Sequence, residues 1–201
     1  MKPIDLRRRI GEDETIYWQG TPDRKAFLLK SIFNFLLPIA IVWAIFDFGF
    51  LAGTLFSDPE DGSPEWFLIP FLMLHLMPVW IYVFGVVTSV RRFRNTAYLV
   101  TDRAVYLSGG AFSVNLEVHP LAKISNINVR QGIIDRRIGV GSVILDGGNT
   151  ARPWVNAERR EGEFVIGNIP DYESVFALIR RLQTDAVRDT MYPNELRPEN
   201  R

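Results

Sequence analysis

The sequence contains no cysteine, only two histidines and, between residues 31 and 90, no lysine or arginine. Without cysteine there is no disulfide framework, no thiol catalysis and no cysteine-bound zinc or iron–sulfur centre. Two histidines do not make a metal cluster, and we expect neither a metal nor another cofactor. The 23 basic residues balance 23 acidic ones, so the overall charge does not favour nucleic acid as a partner.

Two long apolar segments occupy the region without positive charge. Residues 31–56 contain Asp47 as their one charged side chain, and residues 66–90 contain no acidic, lysine or arginine side chain. A helix needs about 20 mostly apolar residues to cross a bilayer, so both segments are long enough. Buried helices of a soluble protein are the alternative, but such helices normally keep one polar face. The sequence predicts a two-span transmembrane hairpin over residues 31–90, with a connecting loop at 57–65.

The charges flanking the hairpin predict its orientation. The loop 57–65 holds four acidic residues and no basic one. The basic residues near the two spans are Arg7, Arg8, Arg9, Arg24, Lys25, Lys30, Arg91, Arg92 and Arg94. Because basic residues close to span ends stay in the cytoplasm, we expect the loop outside and both termini inside, including the N-terminal segment 1–30. The predicted location is the cell (inner) membrane, with a multi-pass chain.

Residues 91–185 have the pattern of a β-rich domain. Short runs of β-branched and aromatic residues alternate with Gly, Asn and Pro at the spacing typical of a sandwich or barrel. Near the end, Val175, Ile179 and Leu182 recur at helical spacing. We therefore expect about seven strands and one C-terminal helix here, and a tail at 186–201 without fixed structure.

Several motifs together resemble bacterial pleckstrin-homology-like (PH-like) domains of the YdbS type. They are Asn95–Arg103, Pro120–Ile127, Gln131–Gly141 and the Trp-Gln-Gly-Thr-Pro run at 18–22. The last run is also similar to the PuhB group of photosynthetic-complex assembly proteins. The resemblance covers nearly all of residues 10–185 and implies two bent antiparallel sheets capped by a C-terminal helix. Eukaryotic relatives that bind inositol phosphates have several basic residues in the first hairpin, where this chain has only Arg103. Specific phosphoinositide binding is therefore not expected.

Asp47 and His75 are the most distinctive candidate residues. Asp47 lies nine positions before Phe56, and His75 lies nine positions after Trp66. At about 1.5 Å per residue, both reach about 13 Å from the outer ends of their spans, so the hairpin can bring them together. A carboxylate inside a membrane is costly and seldom left alone. One interpretation is structural: a hydrogen-bonded pair that locks the hairpin, or a protonated Asp47 that faces a neighbouring subunit. The other is functional: a proton relay or a polar patch for another membrane protein.

A second candidate surface is basic. Arg130, Arg136, Arg137, Arg152 and Trp154 are predicted to contact anionic headgroups or a partner. The alternative is that Ile133, Ile134 and Ile138 pack in the core while the arginines are simply solvated. The nearby glycines at 139 and 141 lead into a strand, which predicts a hairpin turn rather than a phosphate loop.

No spacing typical of a catalytic centre is present, so we expect a protein that is not an enzyme. The favoured function is a membrane-anchored PH-like module that binds a protein partner or self-associates at the cytoplasmic membrane face. The alternatives are an assembly or accessory factor for a larger membrane complex, such as a photosynthetic one, and a subunit related to transport.

Overall fold

The computed structural model describes residues 6–11, 13–56, 65–146 and 163–191. It contains two compact units. Residues 28–90 form one, which we call the apolar unit, and the chain before and after it forms the other, which we call the β unit. This division follows the predicted limits of the apolar segments closely, but it joins the N-terminal region to the β-rich domain.

Seven strands in the described ranges form two antiparallel sheets in the β unit. Strands β1 to β4 (Ile16–Gly20, Ala97–Thr101, Ala104–Gly109 and Asn115–Pro120) form a four-stranded sheet in that order. Strands β5 to β7 (Asn126–Arg130, Gly141–Asp146 and Glu163–Ile169) form a three-stranded sheet. Short 3-10 helices cover Leu6–Arg9 and Leu121–Lys123, and the helix α5 covers Ile133–Ile138.

The hydrophobic core of the β unit lies between the two sheets and a C-terminal helix, α6 (Tyr172–Met191). Val100 and Val105 from one sheet and Val143 from the other are fully buried in this core. The helix contributes Val175 and Ile179, which lie one turn apart and are 1% and 0% exposed. Two antiparallel sheets with a C-terminal helix are the architecture that the sequence resemblance implied, and this expectation is confirmed.

The N-terminal region differs from the separate segment expected over residues 1–30. Its strand β1 pairs with β2, and the Trp18 side chain packs against the main core. Six strands, not seven, therefore lie within the predicted 91–185 range, and the seventh comes from before the apolar unit. A five-residue strand with one aromatic core residue is a weak local signal, because its partner lies far away in the sequence.

The other end of the domain also differs from expectation. Helix α6 continues to Met191, whereas the sequence analysis placed the end of the domain at 185. Ala186 extends the apolar face of the helix and packs against the core, which explains the additional turns. The remainder of the predicted tail, 192–201, lies outside the described residues.

The apolar unit is built from helices. Helix α1 (Arg24–Ile32) leads into it, and α2 (Leu36–Phe56) follows after a break at which Asn34 Oδ1 accepts from the Leu36 amide at 2.8 Å. The second predicted span is divided into α3 (Glu65–His75) and α4 (Met77–Asn95). The division follows from Pro78, which has no amide hydrogen to donate to the preceding turn and whose ring crowds it.

One helix in the described ranges, Leu36–Thr54, is by itself long and apolar enough to cross a membrane. The pair Phe67–His75 and Met77–Asn95 meets the same criterion only as one broken span, with a bend of 52° between its helices. Length and composition alone therefore support one crossing helix and leave the predicted hairpin as a prediction.

Candidate functional site

Asp47 and His75 contact each other inside the apolar unit. His75 Nδ1 lies 2.6 Å from Asp47 Oδ1, which joins the middle of α2 to the last residue of α3. The Asp47 side chain is only 2% exposed, whereas that of His75 is 28% exposed. The two residues that the sequence placed at equal depth are thus brought together, with the carboxylate buried and the imidazole partly accessible.

Aromatic rings surround the imidazole of His75. Trp43 and Phe71 stack against it, with ring centroids at 5.4 and 5.1 Å, and Phe46 lies at 5.6 Å. The surroundings of the pair are apolar, which strengthens the attraction between opposite charges and makes a lone charge costly.

Trp43 also binds the main chain at the bend. Its indole N–H donates to the carbonyl oxygen of His75 at 2.8 Å. This carbonyl belongs to the last turn of α3, where carbonyl groups have no partner within the helix. Helix α2 therefore holds the end of α3 through two hydrogen bonds, one to the side chain of His75 and one to its backbone.

The chemistry available to the pair is proton sharing. Either the imidazole donates to the Asp47 carboxylate, or a protonated carboxyl donates to Nδ1. Asp47 Oδ2 is buried and has no hydrogen-bond partner among the residues that the structure describes. Those residues also contain no group of three His, Cys, Asp or Glu side chains that could hold a metal ion.

The three described arginines of the predicted basic surface lie near one another in the chain, on β5 and α5. Arg130, Arg136 and Arg137 are exposed, and Ile133 beside them is 83% exposed. We call these four residues the basic corner. Ile133 does not pack in the core, contrary to the alternative interpretation, whereas Ile134 and Ile138 are partly buried. Arg152 and Trp154 lie outside the described residues.

Local capping explains the short helix α5, which was not predicted from the sequence. Asp135 is 2% exposed, and its Oδ2 accepts from the Gly132 amide at 2.9 Å. Gly139 ends the helix in the left-handed region with φ of 81°, and its amide donates to the Asp135 carbonyl. Gly139 is therefore a helix cap, and the strand β6 begins at Gly141.

The basic residues that predict membrane orientation lie at the ends of helices. Arg24 and Lys25 begin α1, Lys30 lies in its last turn, and Arg91, Arg92 and Arg94 lie in the last turns of α4. The run Arg7–Arg9 lies in the first 3-10 helix. Arg7 Nε donates to Gln19 Oε1 at 3.1 Å, and the Arg91 guanidinium lies 5.7 Å from the Phe112 ring centroid.

Sequence analysis missed the aromatic residues that complete the site. Trp43 precedes Asp47 by one helical turn, and Phe71 precedes His75 by one turn. This repeated spacing was the available signal, because residues four apart share a helix face. It was hidden because aromatic residues are frequent throughout both apolar segments.

Comparison with known proteins shows a match to a family model. The family model described as bacterial PH domain matches residues 26–183, which include both the apolar unit and most of the β unit. No curated protein and no solved structure matches the chain.

Proposed function

Because the chain belongs to the bacterial PH domain family, we propose that it is a membrane-anchored interaction module without enzymatic activity. It binds a protein partner, or a second copy of itself, at the cytoplasmic face of the cell membrane. The observation that carries this proposal is the contrast between the two units. The β unit has its own buried core, whereas the apolar unit exposes large hydrophobic side chains.

The exposed side chains of the apolar unit require an apolar solvent. Only 11% of the residues in the Leu36–Thr54 helix window are buried, which favours a membrane span over the core helix of a soluble fold. Large hydrophobic side chains that are more than half exposed include Phe33, Phe35, Ile45, Phe48, Ile69 and Leu74. Each Leu, Ile, Phe or Val at the centre of a span favours insertion by about 0.3–0.6 kcal/mol, against about 2.5–3.5 kcal/mol for one Asp. The favourable insertion free energy of the many apolar residues therefore exceeds the cost of inserting Asp47.

The pairing of β1 with β2 supports two crossings. Gly20 and Tyr98 are partners in the sheet, so the chain leaves the β unit and returns to it at neighbouring strands. Both ends of the apolar unit must then lie on one side of the membrane, which requires an even number of crossings. If α2 crosses, the bent pair α3–α4 must also cross, and a re-entrant loop is incompatible with the sheet.

The charge distribution supports a cytoplasmic β unit. Basic residues lie at both connections to the apolar unit, and the acidic loop 57–65 joins the spans at their other end. Because the chain has no cysteine, labelling of a single introduced cysteine reports on which side of the membrane that position lies. An impermeant thiol reagent applied to intact cells should label Ser63→Cys and leave Ser125→Cys unlabelled until the cells are opened. The opposite pattern would contradict the orientation, and labelling of both would contradict the two crossings.

The basic corner is the proposed contact surface of the β unit. An exposed isoleucine flanked by three arginines suits an acidic surface with an apolar centre, on a partner or at the headgroups of anionic lipids. The tether to the membrane raises the local concentration, so weak contacts suffice. Specific phosphoinositide binding is not part of the proposal.

Purification in mild detergent tests the proposal. The full chain should sediment with membranes, and a partner or second copy should co-purify in fixed ratio. Replacing Arg136 and Arg137 by Glu should reduce that recovery at least tenfold. The matched control replaces Arg180 and Arg181, an equally exposed adjacent pair on α6. A full chain that stays in the supernatant, or a lone monomer in every detergent, would overturn the proposal.

The buried Asp47–His75 pair favours a second candidate, an accessory factor for a larger membrane complex. Polar groups within a span mark proton or substrate paths, or docking sites, more often than they mark simple anchors. The narrower resemblance to the PuhB group agrees with this candidate, as the YdbS-type resemblance agrees with the first. A transport-related role would require further spans from partners, since two crossings leave little room for a solute path.

A further inference from the structure

Asp47, Trp43 and His75 meet where α3 ends, one residue before α4 begins. Trp43 and Asp47 lie one turn apart on α2 and share a face. Their contacts to the backbone and side chain of His75 measure 2.8 and 2.6 Å. The two hydrogen bonds join α2 to the residue at which α3–α4 bends by 52°. Whatever breaks the side-chain contact therefore removes one of the two hydrogen bonds that join α2 to the bend.

The charge on the pair decides whether that contact is stable. An ionised Asp47 with a doubly protonated His75 has no net charge, and a protonated Asp47 with a neutral His75 has none either. Both forms contain the same number of protons, and both keep the hydrogen bond. Loss of one proton leaves a net negative charge in apolar surroundings, and gain of one leaves a net positive charge. Either net charge favours separation of the pair or entry of water.

We propose that Asp47 and His75 bind one exchangeable proton, and that this proton clamps α2 to the bend between α3 and α4. The proton leaves and returns through His75, which is 28% exposed, while the 2% exposed Asp47 stays out of water. Because the clamped and released forms bind the proton with different affinity, proton binding shifts the equilibrium between them. The proposal rests on the proposed membrane location of the apolar unit but on no particular partner.

On the described helices α2, α3 and α4, the ionisable residues outside the pair are Glu65, Tyr82 and three arginines near the end of α4. Glu65 begins α3, ten residues from His75, or about 15 Å along the helix. On α4, the Tyr82 hydroxyl donates to the Ile32 carbonyl at 3.0 Å, and Arg91 is sixteen residues from His75. The ring contacts of His75 are with Trp43, Phe46 and Phe71, none of which titrates. The acidic residues at 58, 60 and 61 lie outside the described residues.

Spin-label distances across the bend test the clamp in the full chain. Labels on Ile69→Cys in α3 and Phe84→Cys in α4 report the angle between the helices, and both positions are well exposed. We expect a narrow distance distribution near neutral pH and a broader or shifted one at pH 5 and pH 9. In Asp47→Asn the pair has no net charge when His75 is neutral, so the broadening at pH 9 should be lost while the broadening at pH 5 remains. A second pair within α2, Ile45→Cys and Ala52→Cys, should not respond to pH in either background.

The nitrogen-15 spectrum of His-labelled protein in micelles is the second measurement, and it needs no change at the pair. The chain has two histidines, so His119→Gln assigns the signals. A His75 signal that changes protonation between pH 5 and 9, together with the distance change, supports the clamp. A His75 signal that does not titrate, or a bend that stays narrow while it titrates, overturns it. Sedimentation with membranes tests the location separately, so failure of the clamp can be distinguished from failure of the proposed location.

Discussion

Gly20 and Tyr98 are directly paired in the four-stranded sheet, although the whole apolar unit lies between them in the sequence. The strand before that unit and the strand after it therefore complete one sheet. The entropy cost of closing such a loop rises only slowly with its length, so a long insertion is tolerated. A fragment that begins at Arg91 would lack β1 and its Trp18, and studies of the β unit require the full chain.

Gly20 is predicted to be sensitive even to a methyl group. A Cβ at this position would lie 2.4 Å from two ring carbons of Trp18, which must stay in place to pack against the core. Gly20→Ala should reduce the free energy of unfolding by about 1–3 kcal/mol, the usual cost of overpacking. Chemical denaturation in detergent micelles measures the change.

Gly109→Ala is the matched control, because its Cβ would meet only Thr96 Oγ1 at 3.9 Å. An equal loss in the two variants would contradict the packing explanation for Gly20.

Glu14 is predicted to hold the N-terminal region on the sheet. Its carboxylate accepts from the Tyr106 hydroxyl at 2.9 Å and from the Thr101 hydroxyl at 2.8 Å. Burial, followed by the bond to Glu14, raises the pKa of Tyr106 to about 12. Since the unfolded pKa is about 10, this part of the stability is complete below pH 10 and is lost as pH rises toward 12.

Glu14→Ala should lower the pKa of Tyr106 only in part, since burial is the larger cause. The loss of two hydrogen bonds to a charged group should reduce stability by about 2–4 kcal/mol. Ultraviolet titration and denaturation measure these two effects. Asp13 is a neighbouring exposed acid, and Asp13→Asn should change neither the pKa of Tyr106 nor the stability. A similar effect of Asp13→Asn would show that general surface charge is responsible.

The sequence predicted the features that depend on short-range patterns. The strands from β2 to β7 and the start of α6 follow from alternating or helical spacing, and equal depth placed Asp47 opposite His75. Two features were missed. Strand β1 is a strand because β2, a distant partner in the sequence, lies beside it. Helix α5 is only six residues long and depends on its own caps, the buried Asp135 and the left-handed Gly139. The bend follows from Pro78, but the sequence alone does not tell whether neighbouring helices satisfy the backbone groups that a proline leaves without a partner.

Asp47 and His75 are predicted to act as a unit in stability. Asp47→Asn and His75→Gln should each lower the melting temperature in detergent, because each removes one ionisable member of the contact and so weakens its hydrogen bond. The double variant should cost little more than one single variant, with a coupling of about 1–3 kcal/mol. Additive losses would show that the contact contributes no stability. Thr88→Val removes hydrogen bonds within α4 and should not couple to either change.

His119 is predicted to make the β unit sensitive to mild acid. Burial lowers the pKa of His119, and Lys123 lowers it further while Asp146 opposes the shift. The folded state thus resists protonation, so stability is complete above the unfolded pKa of about 6.5 and falls as pH drops below it.

His119→Phe keeps a ring to stack on Phe164, whose centroid lies 5.7 Å away, and removes a buried Nε2 for which the described residues supply no hydrogen-bond partner. The variant should match or exceed the wild type at pH 7.5 and lose less stability than the wild type at pH 5.5. Asp146→Asn should instead increase the loss, because it removes the charge that favours protonation in the folded state. Equal losses in all three proteins would show that other groups govern the acid sensitivity.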